Sequence, residues 1–188
     1  VATGTADVAL EAWRQLQPQR IVGLDIAEKM LAIGRRKVAA RGLESVISLQ
    51  QGDSENIPFA DNTFEAVTVA FGVRNFENLE RGLREMFRVL KPGGRAVILE
   101  FSKPRTPPFR QLYDFYFRNI LPFIGRLTSK DPAAYGYLYR SVQAFPDGPA
   151  FLEVLQACGF SGARHLPLTL GICSIYVAEK PSTKAAHE

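Results

Sequence analysis

The chain has 188 residues, of which 46% are hydrophobic and 22% are charged, and its formal net charge is +4. These proportions are those of an ordinary globular domain, and they exclude disorder outside the last few residues. A chain of this length can bury most of its apolar surface in one core, so we expect a single domain over residues 1–188. The positive charge is compatible with an anionic cofactor, a nucleic acid or an acidic membrane surface, and it selects none of them.

The sequence lacks targeting and redox signals. No apolar run approaches the roughly 20 residues that span a bilayer, and no signal-peptide pattern is present. We therefore expect a soluble protein of the cytoplasm. Cys158 and Cys173 have neither a metal-site spacing nor a disulfide framework, so both are expected to be buried thiols and no metal site is predicted.

The hydrophobic pattern alternates between helical and strand periodicity. It predicts helices over residues 6–16, 28–42, 79–94 and 147–160, and strands over residues 20–26, 46–53, 64–73, 95–102, 163–171 and 173–181. Strands separated by helices indicate a parallel sheet that is covered on both faces. A short turn separates the last two strands, which predicts that they pair in antiparallel fashion.

The alternation breaks at residues 103–109, where the stretch KPRTPPF contains prolines that end any regular element. Half of the aromatic residues of the chain lie in the segment that follows, 109–145. We interpret residues 103–148 as an aromatic-rich helical cap inserted in the domain. Its aromatic side chains form either a core of the cap itself or an apolar entrance for a lipophilic substrate.

The chain begins with VATGTAD, a short glycine turn that leads into the first predicted helix. Gly4 has no Cβ and lets a ligand approach the backbone closely, with Thr5 and the first amides of the helix facing that ligand. Asp25 lies 21 residues after Gly4, at the carboxyl end of a predicted strand. An acid there accepts hydrogen bonds from both hydroxyls of a ribose. The two features predict an adenosine-type ligand, either a nicotinamide dinucleotide or S-adenosylmethionine.

Asp53 and Ser54, at the end of the next strand, help to separate these two ligands. The carboxylate of Asp53 can accept from the exocyclic amine of adenine, and the backbone N–H of Ser54 can serve a ring nitrogen. The turn also lacks the third glycine of the dinucleotide fingerprint and has Asp7 in its place. Because an acid there repels a pyrophosphate, Asp7 favours S-adenosylmethionine, which carries no phosphate.

The order of the motifs along the chain is distinctive. It runs ATGTAD, GLDI, QGDSENIPFADNTFEAVTVAFGVRN and RVLKPGGRAVILEFSKP, and YGYLYRSVQAFPD follows. Over essentially its whole length the chain resembles the class I S-adenosylmethionine-dependent methyltransferases, and most closely the quinone C-methyltransferases of menaquinone and ubiquinone biosynthesis. The resemblance implies an α/β fold with a Rossmann-like sheet of six parallel strands and a final antiparallel one. The first of these strands is missing from this chain.

The resemblance also implies roles for individual residues. Thr5 of the glycine loop, the ribose acid Asp25 and the adenine pair Asp53 and Ser54 correspond to the cofactor residues of the family. The chain departs from the family pattern at Ala6, where a second glycine is usual, and at Ala96, where a larger apolar residue is usual. An alanine at position 6 is expected to narrow the space around the methionine end of the cofactor.

The catalytic candidate is Arg74 of FGVRN, since it follows a strand at the sheet edge where open α/β folds bind ligands. A guanidinium stays protonated, so we assign it to stabilising a quinolate or to positioning a water that takes the proton. A structural role, in which Arg74 caps a helix or pairs with Glu77, is the alternative. His165 is the other neutral-pH base in the body of the chain, but it falls in a late strand.

The implied reaction is C-methylation of demethylmenaquinol to menaquinol with S-adenosylmethionine and no metal. The alternatives are methylation of the polyprenyl methoxy-benzoquinol of ubiquinone biosynthesis, a non-catalytic S-adenosylmethionine-binding subunit of a quinone-synthesis assembly, and a nicotinamide dehydrogenase. The expected partner is a polyprenylated quinol rather than a nucleic acid, with its tail held by the aromatic cap. Contact with the inner face of the membrane and a homodimer are the associated expectations.

Overall fold

The computed structural model describes residues 1–115 and 132–182, and at residues 112, 114 and 132–135 it describes only the backbone. The helices are α1 (Asp7–Leu16), α2 (Glu28–Ala39), α3 (Leu79–Val89), α4 (Phe109–Phe115), α5 (Pro132–Ala144) and α6 (Pro149–Ala157). The strands are β1 (Ile21–Asp25), β2 (Ile47–Gln51), β3 (Phe64–Ala70), β4 (Leu90–Phe101), β5 (Ser161–Leu168) and β6 (Cys173–Glu179). Short 3-10 helices cover Val73–Asn75 and Thr169–Gly171.

The strands form two sheets. β1 pairs with β2 in parallel, and β3 pairs with β4 in parallel. β6 is antiparallel to both β4 and β5, so the order of the second sheet is β3-β4-β6-β5. The predicted α/β architecture and the final antiparallel pair are therefore confirmed.

Residues 1–3 lie between the two sheets. The N-terminal nitrogen of Val1 donates to the carbonyl of Thr68 in β3 at 2.8 Å, and the N–H of Thr3 donates to the carbonyl of Leu24 in β1 at 3.0 Å. This short stretch thus takes the place of a strand between β1 and β3, although Ala2 has a φ of 50° and no regular strand forms. It leads directly into the glycine turn.

The predicted boundary between α3 and β4 is wrong. The stretch LKPGG was assigned to a helix that closes on a turn, but α3 ends at Val89 and these residues open β4. Leu90 is extended and pairs with Phe64, and Gly93 and Gly94 exchange backbone hydrogen bonds with Lys180 beyond the end of β6. Pairing with strands on both sides decides the conformation here, and the local turn residues only make a bulge in it.

The main core joins α3 and α6 to the second sheet. Leu83, Met86 and Val89 recur at helical spacing on α3 and are fully buried. They belong to one apolar cluster with Phe151 of α6 and Tyr176 of β6. Each such side chain stabilises the fold by about 1.5–3 kcal/mol through burial. A smaller cluster packs α1 and α2 against β2.

The region interpreted as a cap contains α4 and α5, and residues 116–131 within it lie outside the described residues. Tyr113 and Phe145 are buried, whereas Phe109, Phe115 and Tyr137 are 39%, 56% and 53% exposed. The described part of the region therefore combines a small core with exposed aromatic rings. The boundaries of the cap and of the single domain stay predictions.

Two further expectations concern thiols and membranes. Cys158 is buried as predicted, but Cys173 is only partly buried because it opens β6 next to an exposed turn. Burial raises the pKa of both thiols. Among the described residues, no helix has the length and apolar character needed to cross a membrane.

Candidate functional site

The strands and loops bring all the predicted site residues to one edge of the sheets. Asp25 ends β1, and Asp53 and Ser54 follow β2. The N–H of Gly52 donates to the carbonyl of Asp25 at 3.0 Å, which joins the ends of these two strands. After β3, a Cβ built on Gly72 would lie 2.5 Å from the Cβ of Ala2. The turn that carries Arg74 therefore packs directly on the residues leading into the glycine loop.

The centre of the site is the contact between the glycine loop and Asp25. Gly4 has a φ of +54°, a conformation that favours glycine, and its N–H donates to Oδ2 of Asp25 at 2.7 Å. The other oxygen, Oδ1, accepts the N–H of Ala27 at 2.8 Å. Each carboxylate oxygen has a second lone pair, so Asp25 can still accept from two ribose hydroxyls.

The space over Gly4 is open, since the nearest heavy atom to a Cβ built there is Cε of Met30 at 3.8 Å. The structure does not confirm the prediction that Ala6 narrows the space around the methionine end of the cofactor. Ala6 has a φ of 65° and is completely buried, and it packs in the small core with Leu10 of α1 and Val38 of α2. Its methyl group therefore fills the protein interior.

Thr5 and Asp7 form a charged cluster with Lys37 of α2. The hydroxyl of Thr5 donates to Asp7 at 2.6 Å and accepts from Nζ of Lys37 at 3.0 Å. Lys37 also pairs with Asp7 at 2.7 Å, and its hydrogen bond lowers the pKa of that carboxyl. Lys37 compensates the negative charge of Asp7. The repulsion between Asp7 and a pyrophosphate is therefore weaker than the sequence alone suggested. The hydroxyl of Thr5 therefore orders the loop, and the cofactor role of Thr5 stays a prediction.

The loop that carries Asp53 and Ser54 is held by α3. Oδ1 of Asp53 accepts the N–H of Glu55 at 2.8 Å, which fixes the turn and leaves an exposed carboxylate. From α3, Arg88 donates to the carbonyls of Ile57 at 2.9 Å and Phe59 at 2.7 Å. The predicted adenine-binding loop is therefore anchored by a helix that the sequence did not associate with it.

Arg74 lies in the 3-10 turn after β3, and its partner is an acid inside β4. The side chain of Arg74 is 10% exposed and its Nη1 lies 2.6 Å from Oε1 of Glu100, which is 0% exposed. Nη1 also donates to the carbonyl of Phe71 at 2.7 Å. The predicted alternative partner, Glu77, makes no hydrogen bond or ion pair with Arg74 among the described residues. Arg74 is therefore held in place by a carboxylate that sequence reasoning missed.

The ring of Phe101 borders Arg74, and the next residue, Asn75, makes a polar contact. Its guanidinium carbon lies 5.2 Å from the ring centroid of Phe101, and the ring of Phe71 lies 4.6 Å from that of Phe101. The neighbouring Asn75 accepts a hydrogen bond from the hydroxyl of Tyr137 in α5 at 3.0 Å. The cap region thus contacts the turn that carries the catalytic candidate.

His165 belongs to a different part of the edge. Its Nε2 lies 2.8 Å from Oγ of Ser174, and both residues line a cavity of about 310 Å³ with Ser102 and Asp147. Burial lowers the pKa of His165. Arg74 does not line this cavity, so the structure does not join the two candidates in one site.

Comparison with known proteins identifies the family. A profile of the ubiE/COQ5 methyltransferase family matches residues 1–180. The chain belongs to this family. A demethylmenaquinone methyltransferase of Bacteroides fragilis is 47% identical over 180 residues, which cover 96% of this chain and 74% of the relative. A ubiquinone/menaquinone biosynthesis C-methyltransferase UbiE of Geobacter sulfurreducens is 50% identical, over 96% of this chain and 70% of the relative.

A solved S-adenosylmethionine-dependent methyltransferase of Thermotoga maritima shares the fold with a TM-score of 0.64 at 16% identity, over 96% of this chain and 79% of that one. The protein is thus a methyltransferase whose methyl donor is S-adenosylmethionine, and the nicotinamide dehydrogenase alternative is wrong.

The residues present fit this donor. The free lone pairs of Asp25, the open space over Gly4 and the exposed carboxylate of Asp53 lie side by side at one edge. No described residues form a group of His, Cys, Asp or Glu side chains that could hold a metal ion, and the absence of a metal stays a prediction.

Sequence reasoning missed Glu100, Lys37 and Arg88. A signal existed for Glu100, since it is the one acid within the apolar run AVILEF and a buried charge requires a partner. No comparable signal marks Lys37 and Arg88, which lie on amphipathic helices among other basic residues.

Proposed function

We propose that the protein methylates a ring carbon of demethylmenaquinol to give menaquinol, with S-adenosylhomocysteine and a proton as the other products. The observation that carries the proposal is the position of Arg74, a nearly buried cation next to the glycine loop and bordered by the ring of Phe101. The names of the relatives supply the quinone class of the acceptor. Methylation of the benzoquinol of ubiquinone biosynthesis is the second candidate, because the second relative is named for both pathways.

The chain's own residues bind and orient the two reactants. We assign the ribose hydroxyls to Asp25, the adenine to Asp53 and the backbone of Ser54, and the remainder of the donor to the backbone of Gly4 and Thr5. The chemistry that S-adenosylmethionine supplies when bound is a methyl group activated by a sulfonium. Alignment of two bound reactants can lower a barrier by about 7–11 kcal/mol in well-oriented cases.

Arg74 is assigned to the acceptor. A quinol ring carbon becomes nucleophilic when a ring hydroxyl loses its proton, and a fixed guanidinium stabilises the resulting oxyanion. Because arginine stays protonated, it cannot be the base, and a water is assigned to take the proton. Nη1 of Arg74 is already bonded to protein groups, whereas Nη2 makes no hydrogen bond among residues 1–115 and 132–182, so we assign Nη2 as the donor to the oxyanion.

The aromatic side chains of the cap are assigned to the polyprenyl tail and to contact with a membrane surface. The exposed side chains of Phe109, Phe115 and Tyr137 support this assignment, since an apolar tail binds to a surface of apolar and aromatic side chains. The test is sedimentation with vesicles of anionic lipid. Binding that is lost in a Phe109→Ser/Phe115→Ser double variant supports the assignment, and unchanged binding contradicts it.

The function is tested by transfer of labelled methyl from S-adenosylmethionine to reduced demethylmenaquinone and, in parallel, to the reduced benzoquinol precursor. We expect transfer to the naphthoquinol in the wild type. In Arg74→Ala we expect turnover to fall about 100-fold to 1000-fold, as on removal of an oxyanion donor, with affinity for S-adenosylhomocysteine retained.

Each other outcome has a definite meaning. Transfer only to the benzoquinol selects the second candidate. Intact cofactor binding without transfer to either quinol would show that the methyl acceptor is neither of these two quinols. Full turnover in Arg74→Ala removes this residue from the mechanism.

A further inference from the structure

We propose that Glu100 is a positioning residue for the methyl transfer. It fixes the guanidinium of Arg74 in the orientation that meets the oxyanion of the acceptor. This inference rests on the function proposed above for Arg74. Glu100 is 0% exposed, so it acts through Arg74 and does not touch the substrate itself.

The carboxylate of Glu100 binds Arg74 at two points. Oε1 accepts from Nη1 of the side chain at 2.6 Å, and Oε2 accepts from the backbone N–H of Arg74 at 3.3 Å. Oε1 also accepts the N–H of Phe101 at 2.8 Å, which ties the carboxylate to its own strand. One acid of β4 therefore orders both the turn and the side chain of Arg74.

The other contacts restrict the guanidinium further. Nη1 divides its two hydrogens between Glu100 and the carbonyl of Phe71, and the ring of Phe101 lies against the guanidinium. Phe71 presents that carbonyl from a left-handed conformation with a φ of 56°. A non-glycine residue in this region is strained, and such strain is concentrated at functional sites. Nη2 takes part in neither bond, and the buried Nε has no partner among the described residues. Nη2, the guanidinium nitrogen without a bond among the described residues, is thus oriented in advance.

Stability alone is a weak explanation for this pair. Moving two charges out of water is costly, and well-packed apolar side chains often replace a buried ion pair without loss of stability. By contrast, an oriented donor in a dry site contributes strongly to catalysis because it needs no reorganisation during the reaction. The pair lies at the strand edge beside the glycine loop. This position fits a contribution to catalysis better than a contribution to stability.

The first test is a double-variant cycle. Glu100→Gln keeps the shape of the side chain and removes its charge, and we expect kcat to fall about 10-fold to 100-fold with unchanged affinity for S-adenosylhomocysteine. Glu100→Asp keeps the charge but moves the carboxylate away from Arg74, and we expect a similar decrease in kcat. In an Arg74→Ala background, Glu100→Gln should cause no further loss. Equal losses in both backgrounds, or full activity of Glu100→Asp, would overturn the proposal.

Asp147→Asn is the matched control, because among the described residues Asp147 is the other acid that is nearly buried and ion-paired, with Nζ of Lys103 at 3.1 Å. We expect this variant to lose stability in urea unfolding and to keep its kcat. An equal loss of kcat in Asp147→Asn would show that removing any buried acid impairs the enzyme, and the positioning role would be wrong.

The second test needs no methyl acceptor. In ¹⁵N NMR spectra of the wild type, the buried Nε–H of Arg74 should exchange slowly with water, and Glu100→Gln should accelerate this exchange. Unchanged exchange overturns the proposal. If the wild type methylates neither quinol while the exchange result holds, the failure lies with the proposed substrate and not with the positioning of Arg74.

Discussion

The carboxylate of Asp25 has a structural role besides the binding role predicted for it. Its two oxygens accept the N–H groups of Gly4 and Ala27, which fixes the loops on either side of the site. The remaining lone pairs point to the role that the sequence predicted, recognition of a ribose. The spacing between Gly4 and Asp25 therefore reflects a direct contact between the two residues.

Asp25→Ala should weaken binding of S-adenosylhomocysteine about 10-fold to 100-fold, since hydrogen bonds to a charged group contribute about 1.5–3 kcal/mol. Isothermal titration calorimetry measures the effect. Glu179→Ala is the control, because Glu179 is an acid at the far end of β6 that pairs with Arg95. A dissociation constant that is the same in Asp25→Ala and the wild type would contradict the ribose role.

At the scale of elements, α3 both packs the core and fixes the site. Its apolar face carries Leu83, Met86 and Val89, while Arg88 on another face binds the carbonyls of the loop that carries Asp53 and Ser54. The helix thus connects core packing to the geometry of the predicted adenine pocket.

Arg88→Ala should lower the free energy of unfolding by about 1–3 kcal/mol, because the carbonyls of Ile57 and Phe59 lose a charged donor. Affinity for S-adenosylhomocysteine should fall as well. Arg84→Ala, four residues away, removes only an exposed pair with Glu80 and should change stability by about 0.5 kcal/mol or less. Urea unfolding compares the two variants, and equal effects would show that Arg88 does not anchor the loop.

Glu85 gives this anchor a pH dependence. The hydrogen bond from Arg88 holds the pKa of Glu85 below its usual value of 4.5. A lowered pKa in the folded state contributes stability above the usual value, and this contribution is lost as the pH falls through the folded pKa. The unfolding free energy should therefore decrease more between pH 6 and pH 3 in the wild type than in Glu85→Gln. Parallel decreases would contradict this linkage.

At the scale of the whole molecule, the two sheets are joined through residues 1–3. Gly72 and Gly23 leave the space that this stretch fills, since Cβ atoms built on them would lie 2.5 Å from Ala2 and 2.9 Å from Thr3. The glycine loop and the turn of Arg74 thereby lie next to each other. Packing at the centre of the molecule decides the distance between the donor site and the catalytic candidate.

Gly72→Val should lower the unfolding free energy by about 1–3 kcal/mol and reduce turnover, because a side chain there displaces Ala2 and shifts the glycine loop. The control is Gly136→Ala in α5, where the nearest atom to a new Cβ is the flexible end of Arg140 at 3.4 Å. This control should be neutral or slightly stabilising, since alanine is a better helix former. A Gly72→Val variant with wild-type stability would show that the packing is not tight.

Local patterns in the sequence predicted the order of helices and strands, the α/β class and the edge at which the site residues lie. They could do so because hydrophobic period, glycine turns and the position of a residue at the end of a strand are local properties. The same reasoning assigned LKPGG to the end of a helix that closes on a turn, and missed that these residues open β4 and pair with Phe64 and Lys180. Pairing between distant strands overrides local turn preference.

The sequence by itself therefore determined the elements of this methyltransferase and which residue types end each strand. Only the tertiary structure decided the partners of those residues: Glu100 for Arg74 across 26 positions, Lys37 for Asp7 across 30, and Arg88 for the loop at Ile57 across 31. A charged residue within an apolar run indicates that a partner is required. The identity of that partner depends on which strands and helices become neighbours when the chain folds.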